Sequence, residues 1–140
     1  MTQQTPSRGF NDLGIAPEFL KILEQNNFTE PTPIQAKAIP AIIQGKDVMA
    51  AAQTGTGKTA GFTLPILELL LKGEPVRTRH VRTLVLTPTR ELAAQVAQSV
   101  ATYGKHISLR SAVVFGGIVT FSSNMRPFFF HSDFINPYVE

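Results

Sequence analysis

A glycine-rich segment between an apolar run and a helical pattern constrains the fold of this 140-residue chain more than any other feature. The apolar run covers residues 47–51, and residues 61–71 carry apolar side chains at helical spacing. This order predicts a strand, a loop and a helix. The loop itself is Ala52, Gln53, Thr54, Gly55, Thr56, Gly57, Lys58 and Thr59. Its glycines permit backbone angles that turn consecutive N–H groups inward, toward an anion at the positive end of a helix. The segment therefore predicts a phosphate-binding loop.

The last two residues of the loop carry the side chains suited to a nucleoside triphosphate. Lys58 offers a mobile positive charge for the β- and γ-phosphates, and the Thr59 hydroxyl offers one ligand to Mg²⁺. We predict both as candidate catalytic residues and Thr59 as the metal ligand. Ala52 stands where the strict pattern has glycine, and a structural turn without any ligand is the alternative interpretation.

Length and composition indicate one soluble domain. A hydrophobic fraction of 43% is enough for a core, and the absence of cysteine excludes disulfides and cysteine-based metal sites. No apolar run is long enough to cross a bilayer and residues 1–9 lack a signal-peptide pattern, so we expect a cytoplasmic protein without membrane contact. The net charge of +3 suits a polyanionic partner without requiring one.

Helical and extended patterns alternate along the chain. Residues 1–9 are predicted to be a disordered lead. Helices are expected from Pro17 to near Asn26, from Pro33 to a stop at Gly45, after the loop, and from Pro88 onward with Thr89 as its cap. Strands are expected at residues 47–51, 81–87 and 109–115. Such alternation predicts an α/β fold with a parallel sheet flanked by helices, whose ligands bind at the carboxyl ends of the strands.

Several motifs in this order resemble those of the DEAD-box ATP-dependent RNA helicases, and most closely the bacterial RhlE-type branch. Residues 28–35 resemble the Q motif, with Asn27 where the family has glycine; residues 52–59 resemble motif I, and residues 88–95 motif Ia. Gly116 and Gly117 resemble the glycine pair that follows. The resemblance covers residues 10–117.

This resemblance implies an incomplete RecA-like P-loop NTPase domain. Residues 10–45 would form the Q-motif helical region and residues 46–117 the ATP-binding part. Residues 118–140 are an atypical, phenylalanine-rich tail to which we assign no element.

The resemblance also implies ATP and Mg²⁺ as cofactors, with adenine recognised by the Q motif. Gln35 would pair with the adenine edge, because a side-chain amide offers both a donor and an acceptor. Phe28 would stack on the ring, and Phe10 would support that contact from upstream. Ordinary core packing is the alternative for both phenylalanines.

RNA is the partner that the resemblance implies. Contacts to its backbone would come from Pro88, Thr89, Arg90, Glu91, Gly116 and Gly117. A helix start offers N–H groups, a hydroxyl and a guanidinium to phosphate, and glycine permits close approach of the strand. A surface ion pair is the alternative for Arg90.

The acidic motif of the family, Asp-Glu-Ala-Asp, does not occur in this sequence, nor does its Ser-Ala-Thr motif. Phosphoryl transfer depends on charge neutralisation, so we expect binding of ATP and weak binding of RNA without RNA-stimulated hydrolysis. Two other functions remain open: a non-catalytic ATP- or RNA-binding regulatory module, and a small P-loop phosphotransferase.

Overall fold

The computed structural model of the protein describes residues 9–73, 81–115 and 118–121. Four α-helices account for about half of these residues, and all four lie where the sequence predicts helices. In chain order the elements are a 3-10 helix Phe10–Leu13, α1 Pro17–Gln25, α2 Pro33–Ile43, α3 Lys58–Lys72, α4 Arg90–Tyr103, β1 Ala112–Phe115 and β2 Ile118–Phe121.

The end of α1 explains why asparagine replaces glycine before the aromatic residue of the Q motif. Asn27 has φ +60°, in the left-handed region. Its N–H donates to Glu24 O at 3.0 Å, and the Phe28 N–H donates to Leu23 O at 2.9 Å. These two bonds form a Schellman motif, in which the left-handed position favours glycine and tolerates asparagine. The turn that presents Phe28 is therefore preserved.

Both ends of α2 follow from local sequence. Thr32 precedes Pro33, and its hydroxyl accepts from the Gln35 N–H while the Gln35 side chain accepts from the Thr32 N–H at 3.0 Å. This reciprocal arrangement is a capping box. At the other end Gly45 has φ +75°, which confirms the predicted stop.

The hydrophobic core joins the amino-terminal helices to the helix that follows the glycine loop. Phe19, Ile39 and Leu64, from α1, α2 and α3, are fully buried in it. Tyr103 at the end of α4 and Ile107 complete one side. The core therefore fixes α1 and α2 against α3, at whose start the loop lies.

The parallel sheet predicted from the sequence is not present in the described residues. Residues 47–51 and 81–87 carry no strand, and Val81 and Leu86 are each 83% exposed where a buried strand was expected. No backbone hydrogen bond joins either segment to another part of the described chain. Apolar, β-branched composition suits a segment to a sheet, but a strand forms only where another strand supplies the ladder.

The third predicted strand forms in shortened form and with different pairing. β1 pairs antiparallel with β2, with Ala112 opposite Phe121 and Phe115 opposite Ile118. The segment to which the sequence assigned no element thus contains the partner strand, and the remaining residues of that tail lie outside the described ranges. None of the helices in the described ranges is both long and apolar enough to span a membrane.

Candidate nucleotide site

The glycine loop adopts the backbone conformation that its glycines allow. Gly55 has φ +78° and Gly57 has φ +80°, and Gly57 is the N-cap residue of α3. Within the described ranges, the main-chain N–H groups of residues 57–59, at the start of α3, donate no backbone hydrogen bond. A row of unsatisfied amides at the positive end of a helix is suited to an anion.

Lys58 and Thr59 lie on the first turn of α3, partly buried beside this row. The Lys58 ammonium donates to Ala52 O at the start of the loop, so the side chain folds over the loop. The Thr59 hydroxyl makes no hydrogen bond within the described part of the chain, although its carbonyl accepts from the Thr63 hydroxyl. Both side chains that the sequence predicted therefore lie at the amide row.

Helix α2 holds the loop through two side chains. The Thr32 hydroxyl donates to Thr56 O at 2.8 Å, and Gln35 Nε2 donates to Gly57 O at 3.1 Å. We call these two contacts the α2 clasp. Because Thr32 and Gln35 also form the capping box, the same two residues begin α2 and fix the loop. A Cβ at residue 57 would lie 2.2 Å from Gln35 Nε2 and would displace it from the clasp. Glycine is therefore needed at this position for two reasons, the space beside Gln35 and the positive φ.

Gln35 is 1% exposed, and its side-chain amide already makes two hydrogen bonds. A primary amide has two N–H groups and two lone pairs, so one donor and one lone pair remain. That pair of groups matches the single donor and single acceptor that the sequence analysis assigned to adenine recognition. Gln35 is thus both a structural residue of the loop and a candidate ligand residue.

The two phenylalanines predicted at the base occupy different environments. Phe28 is 39% exposed, and its ring contacts Tyr103 edge to face with centroids 6.4 Å apart. Phe10 is 5% exposed and belongs to the hydrophobic core. The partly exposed Phe28 ring is suited to stacking on a base and Phe10 contributes to the core, and the roles predicted for both at the adenine remain predictions.

The segment predicted to contact RNA forms the start of α4. Thr89 caps the helix by accepting from the Leu92 N–H at 3.2 Å. Pro88, Arg90 and Glu91 are exposed, and Arg90 makes no ion pair with any described residue. Gly116 and Gly117 lie outside the described residues.

Three residues of the site region were not identified from the sequence. Thr32 was detectable, because Thr-x-x-Gln before an apolar helix is the capping-box pattern. Tyr103 and Glu68 were not, since their contacts with Phe28 and with the Ala16 N–H join residues far apart in the chain. The described residues contain no group of three or more histidine, aspartate or glutamate side chains that could hold a metal ion.

Comparisons with known proteins match the part of the chain that contains the glycine loop and the helices around it. Residues 32–128 match the family model of the DEAD/DEAH box helicases. The chain is 49% identical over 108 residues to the DEAD-box ATP-dependent RNA helicase RhpA of Helicobacter pylori, covering 77% of this chain and 21% of that protein. It is also 49% identical over 116 residues to the ATP-dependent rRNA helicase RRP3 of Pyricularia oryzae, covering 83% and 21%. The chain thus spans about one fifth of the length of these relatives.

Two crystal structures share this architecture. The RNA helicase Prp28 from Chaetomium thermophilum, bound to ADP, superposes with a TM-score of 0.73 at 34% identity and covers 81% of this chain and 28% of its own. A DEAD box protein from the hyperthermophile Methanococcus jannaschii superposes with a TM-score of 0.69 at 36% identity, covering 79% and 29%. These likenesses agree with the predicted α/β, RecA-like class, although the described residues lack the parallel sheet. With its family model matched over more than half of its length, this chain belongs to the DEAD/DEAH box helicase family.

Proposed function

We propose that this chain supplies the adenosine-nucleotide-binding part of an ATP-dependent RNA helicase. The observation that carries the proposal is the row of main-chain N–H groups at the start of α3 that donate no backbone hydrogen bond. The α2 clasp fixes the loop that carries them. The names of the relatives support ATP as the nucleotide and RNA as the partner.

The residues at the loop fit the phosphates of ATP. The amides of residues 53–59 would hold phosphate oxygens, and glycine at position 57 leaves the space that the clasp needs. The Lys58 ammonium would exchange the Ala52 carbonyl for a phosphate oxygen, which is the stronger, charge-assisted acceptor. The Thr59 hydroxyl would supply one ligand to Mg²⁺. ATP supplies the phosphoryl group whose transfer to water drives helicases of this class.

The side chains of Gln35 and Phe28 fit the adenine base of the nucleotide. Gln35 retains one N–H and one lone pair, and Phe28 exposes part of its ring near Tyr103. Guanine presents an acceptor where adenine has its exocyclic amine, so it would mismatch the Gln35 acceptor. We therefore infer a preference for adenosine over guanosine nucleotides.

The start of α4 would contact the RNA backbone. Thr89 caps the helix, and the exposed Arg90 guanidinium beside it is suited to a phosphate. Because the sequence contains no Asp-Glu-Ala-Asp motif, we expect nucleotide binding without RNA-stimulated hydrolysis by these 140 residues.

Isothermal titration of the 140-residue protein with ADP and with ATP plus Mg²⁺ tests the proposal. Lys58→Met should weaken ADP binding by about tenfold to hundredfold, as expected for loss of a charged hydrogen bond. Lys37→Met, at an exposed position of α2, is the matched control and should bind as the wild type does. A wild-type chain that binds neither nucleotide, or equal binding by both variants, would overturn the proposal.

A further inference from the structure

We infer that Glu68 is a positioning residue that sets the adenine-binding side of the site relative to the phosphate loop. The inference rests on the proposed function, because it assigns to a buried carboxylate the alignment of two halves of that same site.

Glu68 is a charged residue in the core. It lies on α3, its side chain is 0% exposed, and its Oε2 accepts from the Ala16 N–H at 2.8 Å. Its Oε1 lies 2.8 Å from Lys72 Nζ, which supplies the counter-charge from the same helix. Burying a carboxylate is unfavourable, and a buried ion pair is weak evidence for a gain in stability. An apolar side chain would fill the same space, so the carboxylate calls for a role that only its charge and acceptor atoms perform.

The contact with Ala16 supplies that role. Ala16 is the N-cap residue of α1, and no side chain of its own caps the helix. Glu68 therefore acts as a cap from another helix: its carboxylate faces the positive end of α1 and accepts one N–H there. Apolar contacts are not directional, whereas this bond ties the start of α1 to one point on α3.

The two helices connect the two halves of the site. From Glu68, α3 runs back about 15 Å to Lys58 and the phosphate loop. From Ala16, α1 runs about 10 Å to Leu23, whose carbonyl accepts from the Phe28 N–H. The predicted base-stacking ring and the predicted phosphate ligands are thus joined through the Glu68–Ala16 bond, in addition to the α2 clasp.

Two variants break this bond from opposite sides. Glu68→Leu removes the acceptor, and Ala16→Pro removes the donor at a residue whose φ of −64° already suits proline. We expect each to lower the ratio of ADP affinity to pyrophosphate affinity by about three- to tenfold, the equivalent of one aromatic stacking contact, because pyrophosphate uses the phosphate loop without the base-stacking ring. The double variant should lower the ratio no further, because both changes remove the same contact. Glu24→Gln, at an exposed glutamate of α1, is the control and should leave the ratio unchanged.

The affinity ratio separates positioning from mere stability. A partly unfolded population lowers the affinities for ADP and pyrophosphate by one common factor and leaves their ratio unchanged. An unchanged ratio in either folded variant would overturn the inference while leaving the proposed function intact. If Glu68→Leu does not fold, Ala16→Pro decides the matter alone. A wild-type chain that binds no ADP overturns the proposed function and this inference with it.

Discussion

Replacing Thr32 with valine removes the hydroxyl of the α2 clasp and keeps the β-branched shape. Two contacts are lost: the N-cap bond from the Gln35 N–H and the 2.8 Å bond to Thr56 O. Loss of an N-cap costs about 1 kcal/mol. Loss of a hydrogen bond to a loop carbonyl costs about 1 kcal/mol more. We therefore expect the free energy of unfolding to fall by about 2 kcal/mol, which lowers the melting temperature of a domain of this size by about 7 °C.

Urea denaturation followed by circular dichroism measures this change. The slope of the unfolding free energy against urea should stay constant, because valine exposes no new surface, and only the midpoint should move. Thr29→Val is the matched control, since Thr29 is exposed and its side chain makes no hydrogen bond within the described ranges. If the Thr32 and Thr29 variants unfold at the same urea concentration, the clasp does not contribute to stability and the argument from its geometry is wrong.

Two further predictions follow from local geometry. Asn27→Gly should raise the free energy of unfolding by up to about 1 kcal/mol, and Asn27→Ala should lower it by about 1 kcal/mol. The reason is that φ +60° is strained for any residue with a Cβ. Urea midpoints in the reverse order would contradict the Schellman assignment. Burial raises the pKa of Tyr103 above the ordinary value of 10.0, so the folded protein favours the neutral phenol. The stabilisation is complete below pH 10.0 and is lost as the pH rises toward the folded pKa. Urea midpoints on either side of that pH should fall more steeply for the wild type than for Tyr103→Phe, and equal slopes would contradict the burial argument.

The parts of the fold that depend on neighbours in sequence were predictable. The starts at Pro17 and Pro33, the stop at Gly45 and the Thr89 cap are each set within one helical turn, and the structure confirms them. The glycine loop was predictable for the same reason, because its backbone angles belong to its own residues.

The parts that depend on distant partners were not predictable. Residues 81–87 have the composition of a buried strand but are mostly exposed, because composition does not specify which strand completes the ladder. The role of Glu68 was equally hidden, since a glutamate among leucines on a helix is normally a solvated residue. Only the approach of the Ala16 N–H identifies it as a buried acceptor.

The geometry of Gln35 links nucleotide binding to the stability of the loop. Its two engaged groups hold Thr32 N and Gly57 O, and its two remaining groups are those that the proposed contact with adenine would use. A nucleotide that uses the remaining groups leaves the clasp intact and fixes the amide in the orientation that the clasp needs. A ligand that binds only the folded state stabilises it by mass action, so adenosine nucleotide should also stabilise the start of α2. Under the proposed function, the capping box at Thr32 and Gln35 would therefore support both the start of α2 and the contact with adenine.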